Sequence, residues 1–69
     1  MLYDELQTIG ERYGFDIYIE VIGNQTVIEV PAWIQMLPDA KVAPVLADLN
    51  RALLNLAAHT TPVLKVYTA

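Results

Sequence analysis

The 69-residue chain contains no cysteine and no serine, and its single histidine is His59. The absence of cysteine excludes disulfide bonds, and one histidine is too few for a zinc site of the usual cysteine–histidine kind. The chain also lacks the two side chains that most often act as covalent nucleophiles. A small domain without these staples must gain its stability from a well-packed core or from association with another chain.

Positive charge is also scarce, since four Lys and Arg against eight Asp and Glu give a formal net charge of −4. The four basic residues are scattered along the chain, whereas nucleic-acid binding draws much of its affinity from cations that neutralise phosphates. We therefore expect no nucleic-acid partner. At 17% charged residues the chain is too sparsely charged to imitate DNA itself.

Targeting and membrane signals are missing from the pattern. The opening Met-Leu-Tyr-Asp-Glu lacks the basic and apolar regions of a signal peptide. The longest apolar stretch, residues 42–58, is interrupted by Asp48 and Arg51, so we expect no membrane span. The lack of cysteine fits a reducing compartment. We predict a cytoplasmic protein with one domain over residues 1–69.

What the chain has in excess is apolar side chains, which make up 55% of its residues. A domain of this size buries only about 60% of the surface that its unfolded chain exposes, so it has much surface to cover with polar groups. A small domain should therefore be less apolar than average, whereas this chain is more apolar. We therefore expect a partner protein to cover part of the apolar surface.

The first half of the chain predicts a helix followed by a β-hairpin. Apolar residues at helical spacing predict a helix over Leu2–Tyr13. Alternation predicts strands at Phe15–Ile22 and Thr26–Val30, joined by Gly23 and Asn24 in a type II′ turn. We prefer the register that pairs Val21 with Thr26, Ile19 with Ile28, and Tyr18 with Glu29, because a one-residue shift would oppose Glu20 and Glu29.

The second half predicts an irregular connector, a long helix and a third strand. The connector, residues 31–38, is too apolar for a plain solvent loop. Asp39 is a plausible N-cap, although the helix could instead begin at Pro44. The third strand is predicted over Val63–Thr68. The core-facing line of the long helix is predicted to consist of Val42, Leu46, Leu49, Leu53 and Leu56.

These elements predict an α+β fold of order α-β-β-α-β, with a three-stranded sheet and both helices packed on one face. We favour the antiparallel strand order 2-1-3, because it makes the first strand, the most apolar one, central. A right-handed crossover that places the third strand parallel to the second is the alternative.

Two surfaces stand out as candidate protein interfaces. The first is the sheet face away from the helices, where tyrosines are typical of interfaces; it carries Tyr18, Ile22, Val27, Val63 and Tyr67. The second is a strip on the long helix, where small residues allow close approach of another chain; it carries Ala43, Ala47, Asn50, Leu54 and Ala57. An ordinary half-wet sheet face and a broad core-facing helix are the plainer interpretations of the same residues.

We predict a non-enzymatic protein–protein interaction module that self-associates as a dimer and acts as a regulator, an inhibitor or an assembly subunit. No catalytic residue, cofactor, metal or membrane partner is predicted. One alternative is a viral accessory protein, encoded by a phage or mobile element, that inhibits a host protein complex. Another is a small ligand-binding domain or enzyme whose pocket forms between subunits and uses His59.

Overall fold

The structure, a computed structural model, describes residues 2–68. It confirms the α+β class, the two helices, the three strands and their order along the chain. A short 3-10 helix, Ala32–Met36, occupies the connector. The five main elements are α1 (Asp4–Tyr13), β1 (Tyr18–Ile22), β2 (Gln25–Pro31), α2 (Asp39–Leu56) and β3 (Thr61–Tyr67).

The β1–β2 hairpin has the predicted register. Val21 pairs with Thr26, and Tyr18 pairs with Glu29 at the other end of β1. The loop has two residues, and the only positive φ in it belongs to Gly23, at 59°. A positive φ at the first loop position alone is the signature of the predicted type II′ turn, and glycine adopts it without steric cost.

The predicted antiparallel strand order 2-1-3 is wrong. The sheet order is β1-β2-β3, and β3 runs parallel to the central β2. The reason is burial on both faces: nearly all of β2 is buried, whereas β1 exposes Val21 and Ile22. The alternative crossover, in which α2 carries the chain back to a parallel neighbour of β2, is the one the chain adopts.

Helix α1 ends where glycine permits the chain to turn into the sheet. Gly14 has a left-handed φ of 78°, and its N–H donates to the Gly10 carbonyl at 2.8 Å. Gly10 is needed for space, because a Cβ there would lie 2.6 Å from the Phe15 carbonyl oxygen. The two glycines therefore bring the start of the hairpin directly under α1.

Helix α2 begins at Asp39, which is its first helical residue and not the predicted N-cap; Pro38 holds that position. None of the helices formed within residues 2–68 is long and apolar enough to cross a membrane. The buried line of α2 also differs from the predicted one, because it consists of Val45, Leu49, Ala52 and Leu56.

At 100° per residue this line is rotated by about 50° from the expected one. The rotation turns α2 toward α1 and leaves Leu46 45% exposed. The core lies between the helices and one sheet face, where the buried α2 residues and Leu6 and Ile9 of α1 meet Ile28 and Val30.

Candidate interaction surfaces

The side of α2 that faces α1 is closed by hydrogen bonds. Asp48 accepts from the Tyr13 hydroxyl at 2.6 Å and from Arg12 Nη1 at 2.8 Å, both at Oδ2. Its other carboxylate oxygen lies 3.4 Å from Arg51 Nη2. One helical turn further along α2 than Arg51, Asn55 Nδ2 donates to Glu5 Oε1 of α1 at 2.9 Å.

The electrostatics of this contact indicate a structural role. The Tyr13 hydrogen bond, followed by the hydrogen bond and charge of Arg12, holds the pKa of Asp48 below its ordinary value. The same bond to Asp48 raises the pKa of the Tyr13 phenol. A carboxylate whose charge is matched this well, and whose side chain is only 14% exposed, has its partners within the chain.

The opposite flank of α2 has no such partners. All five residues of the predicted helix strip are exposed, and the largest of them, Leu54, is 74% exposed. Leu46 lies beside them and is also exposed. Between residues 42 and 57 this flank carries no charged side chain, because Asp48 and Arg51 both project toward the α1 side.

Strand β3 extends this exposed surface. Leu64 and Val66 pair with Ile28 and Val30, so they lie on the sheet face that carries the helices. They are nevertheless 44% and 49% exposed, because the helices leave this half of β3 uncovered. We call the exposed flank of α2 together with this part of β3 the α2–β3 surface; it consists of Ala43, Leu46, Ala47, Asn50, Leu54, Ala57, Leu64 and Val66.

The register places the five predicted residues of the outer sheet face on one side of the sheet, as expected. Several of them, however, are partly covered by other residues of the same chain. The rings of Tyr18 and Tyr67 pack edge to face with centroids 5.1 Å apart. The Tyr67 hydroxyl reaches the Asp16 carbonyl at 2.7 Å, and burial raises the pKa of that phenol. Val27 is only 8% exposed, which leaves Tyr18 and Ile22 as the large exposed apolar residues of the five.

Sequence reasoning missed an aromatic cavity of about 430 Å³ between the N-terminal half of α2 and the connector. The Phe15 ring packs edge-on to Trp33, at 5.9 Å, and stacks with Tyr13, at 6.4 Å. Trp33 signalled this site, since it stands in a connector too apolar for a solvent loop. The wall of the cavity consists of Tyr13, Phe15, Trp33, Leu37, Ala40, Lys41, Pro44 and Val45.

His59 lies far from this cavity. It is exposed in the turn after α2, whereas Lys41 lies in the first turn of that helix, and the helix from Lys41 to Leu56 alone is roughly 22 Å long at 1.5 Å per residue. Within residues 2–68, no group of three or more metal-ligating side chains comes together.

Comparison with known proteins adds no relative: no family model, no curated protein and no solved structure matches the chain.

Proposed function

We propose that the chain is a non-enzymatic interaction module that binds another protein through the α2–β3 surface. The observation that carries this proposal is a set of exposed apolar side chains on this flank of α2 and on the helix-bearing face of β3: Leu46, Leu54, Leu64 and Val66. Large exposed apolar patches on a small domain are typical of binding sites.

The energy available from this surface is sufficient for association. Complete burial of an exposed leucine or valine side chain contributes about 1.5–3 kcal/mol. Three leucines and a valine that are 44–74% exposed therefore offer several kcal/mol to a partner. An interface of this kind suits a regulator, an inhibitor or an assembly subunit equally well, including an inhibitor encoded by a phage or mobile element.

The placement of the polar groups supports a non-enzymatic role. Asp48, whose pKa is held below its ordinary value, is hydrogen-bonded between the helices and not in an open cleft. His59 is exposed, and its imidazole forms no hydrogen bond to another residue of the range 2–68. A general base needs a partner that orients it and a pocket that receives the substrate.

Affinity capture with three baits tests the proposal: the wild-type chain, Leu54→Asp and Met36→Asp. Met36 is the matched control, because it is even more exposed than Leu54 but lies outside the α2–β3 surface. We expect a protein that binds wild type and Met36→Asp alike and is lost with Leu54→Asp. Equal capture by all three baits would contradict the proposal.

A second candidate function, binding of a small apolar acid, is favoured by the aromatic cavity. Its wall is mainly apolar, and Lys41, which forms no ion pair with any residue from 2 to 68, supplies one cation at the rim. Trp33 is the single tryptophan, so its fluorescence reports on this cavity alone. A saturable change on titration with decanoate, weakened in Lys41→Gln, would support this function; a flat titration would exclude it.

A further inference from the structure

We propose that the partner of the α2–β3 surface is a second copy of this chain, joined by antiparallel pairing of the two β3 strands about a two-fold axis at Leu64. The inference rests on the proposed function, because it names the partner of the same surface. The resulting sheet has six strands, with the β3 strands at its centre and both copies' helices on one face.

The backbone of β3 offers the necessary hydrogen-bonding groups. The Thr61 N–H donates to the Asn24 carbonyl, 2.9 Å away, so the backbone groups of Thr61 point toward β2. Because these directions alternate along a strand, the N–H and C=O of Leu64 and Val66 point away from β2, to the open edge. The backbone of Pro62 also points away from β2, so its lack of an N–H costs no hydrogen bond between β3 and β2.

The register follows from the length and the charge of the strand. Leu64 is the midpoint of Thr61–Tyr67, so an axis there pairs the whole of β3 with its copy. The two Leu64 residues then exchange backbone hydrogen bonds, and each Val66 N–H donates to the Pro62 carbonyl of the second copy. Lys65 lies opposite Val63 of the second copy, whereas an axis at Lys65 would oppose two like charges.

Helix α2 matches this axis in height. Leu64 is three residues from the start of β3, roughly 10 Å along the strand. Asn50 is six residues from the end of α2, roughly 9 Å along the helix in the same direction. Since the Thr60 N–H donates to the Leu56 carbonyl, the two elements are joined at that end, and Asn50 lies near the level of the axis.

The two α2 helices then lie side by side. Strands are about 4.8 Å apart, so helices that lie over the β2–β3 pairs of the two copies are roughly 10 Å apart, the distance of packed helices. Asn50 meets Asn50 of the second copy near the axis. On either side of the axis Leu46 approaches Leu54 of the second copy, and Ala43 approaches Ala57. Leucine therefore meets leucine, and alanine meets alanine, along the contact.

Charge makes this flank the place where two copies can meet. A chain with net charge −4 repels its own copies, and the flank of α2 is where they can approach without opposed carboxylates. The area also fits: β3 is roughly 23 Å long and α2 roughly 27 Å, and together they cover a footprint about 20 Å wide. That is roughly 500 Å² per partner in projection, or about 1,000 Å² in total, which is the lower bound for a specific interface.

Single-cysteine cross-linking tests the axis, because the wild-type chain has no cysteine to interfere. The Cα atoms of a hydrogen-bonded antiparallel pair are about 5.5 Å apart, within the range of a disulfide. We expect Leu64→Cys to convert to a disulfide-linked dimer under mild oxidation. Val21→Cys, on the exposed β1 edge of the sheet, is the matched control and should stay monomeric.

The neighbouring positions test the register. Val63→Cys and Lys65→Cys should each fail to cross-link alone, since neither lies opposite itself, but a mixture of the two should form the mixed disulfide. Cross-linking of Lys65→Cys alone would overturn the Leu64 axis.

Sedimentation of the wild-type chain provides a measurement that no substitution can disturb. We expect twice the monomer mass at micromolar concentration. A strict monomer, or a dimer in which Leu64→Cys does not cross-link, would overturn the inference. In either case a different protein lost only with the Leu54→Asp bait would leave the proposed function standing, so the two failures are distinguishable.

Discussion

The two flanks of α2 differ in whether other residues of the chain cover them and bind their polar groups. On the α1 side, Asp48 and Asn55 have hydrogen-bond partners on α1, at Tyr13, Arg12 and Glu5. On the β3 side, the helix presents leucine and alanine to solvent over a similar length. Both flanks border the same buried line of residues, so the difference does not arise from the core.

This difference shows how a candidate interface can be distinguished from a closed flank within one helix. A flank that packs against another element of the same chain has polar groups at its rim, and each of them has a hydrogen-bond partner. A flank that lacks charge and remains exposed has only apolar area to offer, which suits burial against another chain. If the two flanks differ in energy as they differ in composition, substitutions on them should have different effects on stability and on association.

The largest expected effect separates the core from the exposed flank. Leu49 is buried and Leu54 is exposed on the same helix. Leu49→Ala removes buried contacts and leaves a cavity, so it should lower the free energy of unfolding by about 2–5 kcal/mol. Leu54→Ala should change the stability of the monomer by about 0.5 kcal/mol or less. Urea unfolding at a protein concentration low enough to keep the chain monomeric measures both, and comparable losses would mean that Leu54 is packed within the monomer.

A smaller effect is expected where α1 turns into the sheet. A Cβ on Gly10 would press on the Phe15 carbonyl, which belongs to the backbone and cannot rotate away. Gly10→Ala should therefore destabilise the domain by about 1–3 kcal/mol, although alanine is the better helix former. Thermal unfolding measures the effect, and Gln7→Ala, at an exposed position of α1, is the control. An unchanged melting temperature would mean that α1 can shift without cost.

Local signals made much of the fold predictable. The hairpin register followed from Gly23 and from the need to separate Glu20 and Glu29, both of which are properties of neighbouring residues. The strand order did not follow, because counting apolar residues made β1 central. What distinguishes β2 is burial on both faces, and that depends on the path of α2, which no local pattern records.

The candidate site was predictable in part for the same reason. Helical spacing found the Ala43–Ala57 strip, whose residues are exposed as a set. It placed Leu46 on the core-facing line, because it could not include the hydrogen bonds of Asp48 to α1 that accompany the rotation of α2. The exposure of Leu64 and Val66 depends on which strand the helices leave uncovered, and this is a tertiary property.

Asn50→Asp tests the exposed flank at its centre. The substitution keeps the shape of the side chain and should leave the stability of the monomer nearly unchanged. In the proposed dimer it places two carboxylates near the axis, so we expect dimerisation at pH 7 to weaken by at least about tenfold, or about 1.4 kcal/mol. Dimerisation should recover as the pH falls below about 4, where the carboxylates gain protons.

Sedimentation at several concentrations measures this effect. Gln35→Glu is the matched control, since it also converts an exposed amide to an acid, but on the 3-10 helix. If both variants weakened dimerisation equally, the cause would be net charge and the axis at Asn50 would be wrong.

The smallest expected effect is on the α1 side of α2, and it appears as a pH dependence of the free energy of unfolding. The pKa of Asp48 is lowered in the folded chain, mainly by the Tyr13 hydrogen bond, relative to about 3.9 in the unfolded chain. Its contribution to stability is therefore complete above pH 4 and is lost as the pH falls through the folded pKa. Asp48→Asn should be less stable than wild type at pH 6, and the difference should shrink steadily toward pH 2. Urea unfolding of both proteins over this range measures the difference. Asp16→Asn, which removes a carboxylate from the segment between α1 and β1, is the control. A difference that stays constant with pH would mean that the charge of Asp48 contributes nothing to the contact between α1 and α2.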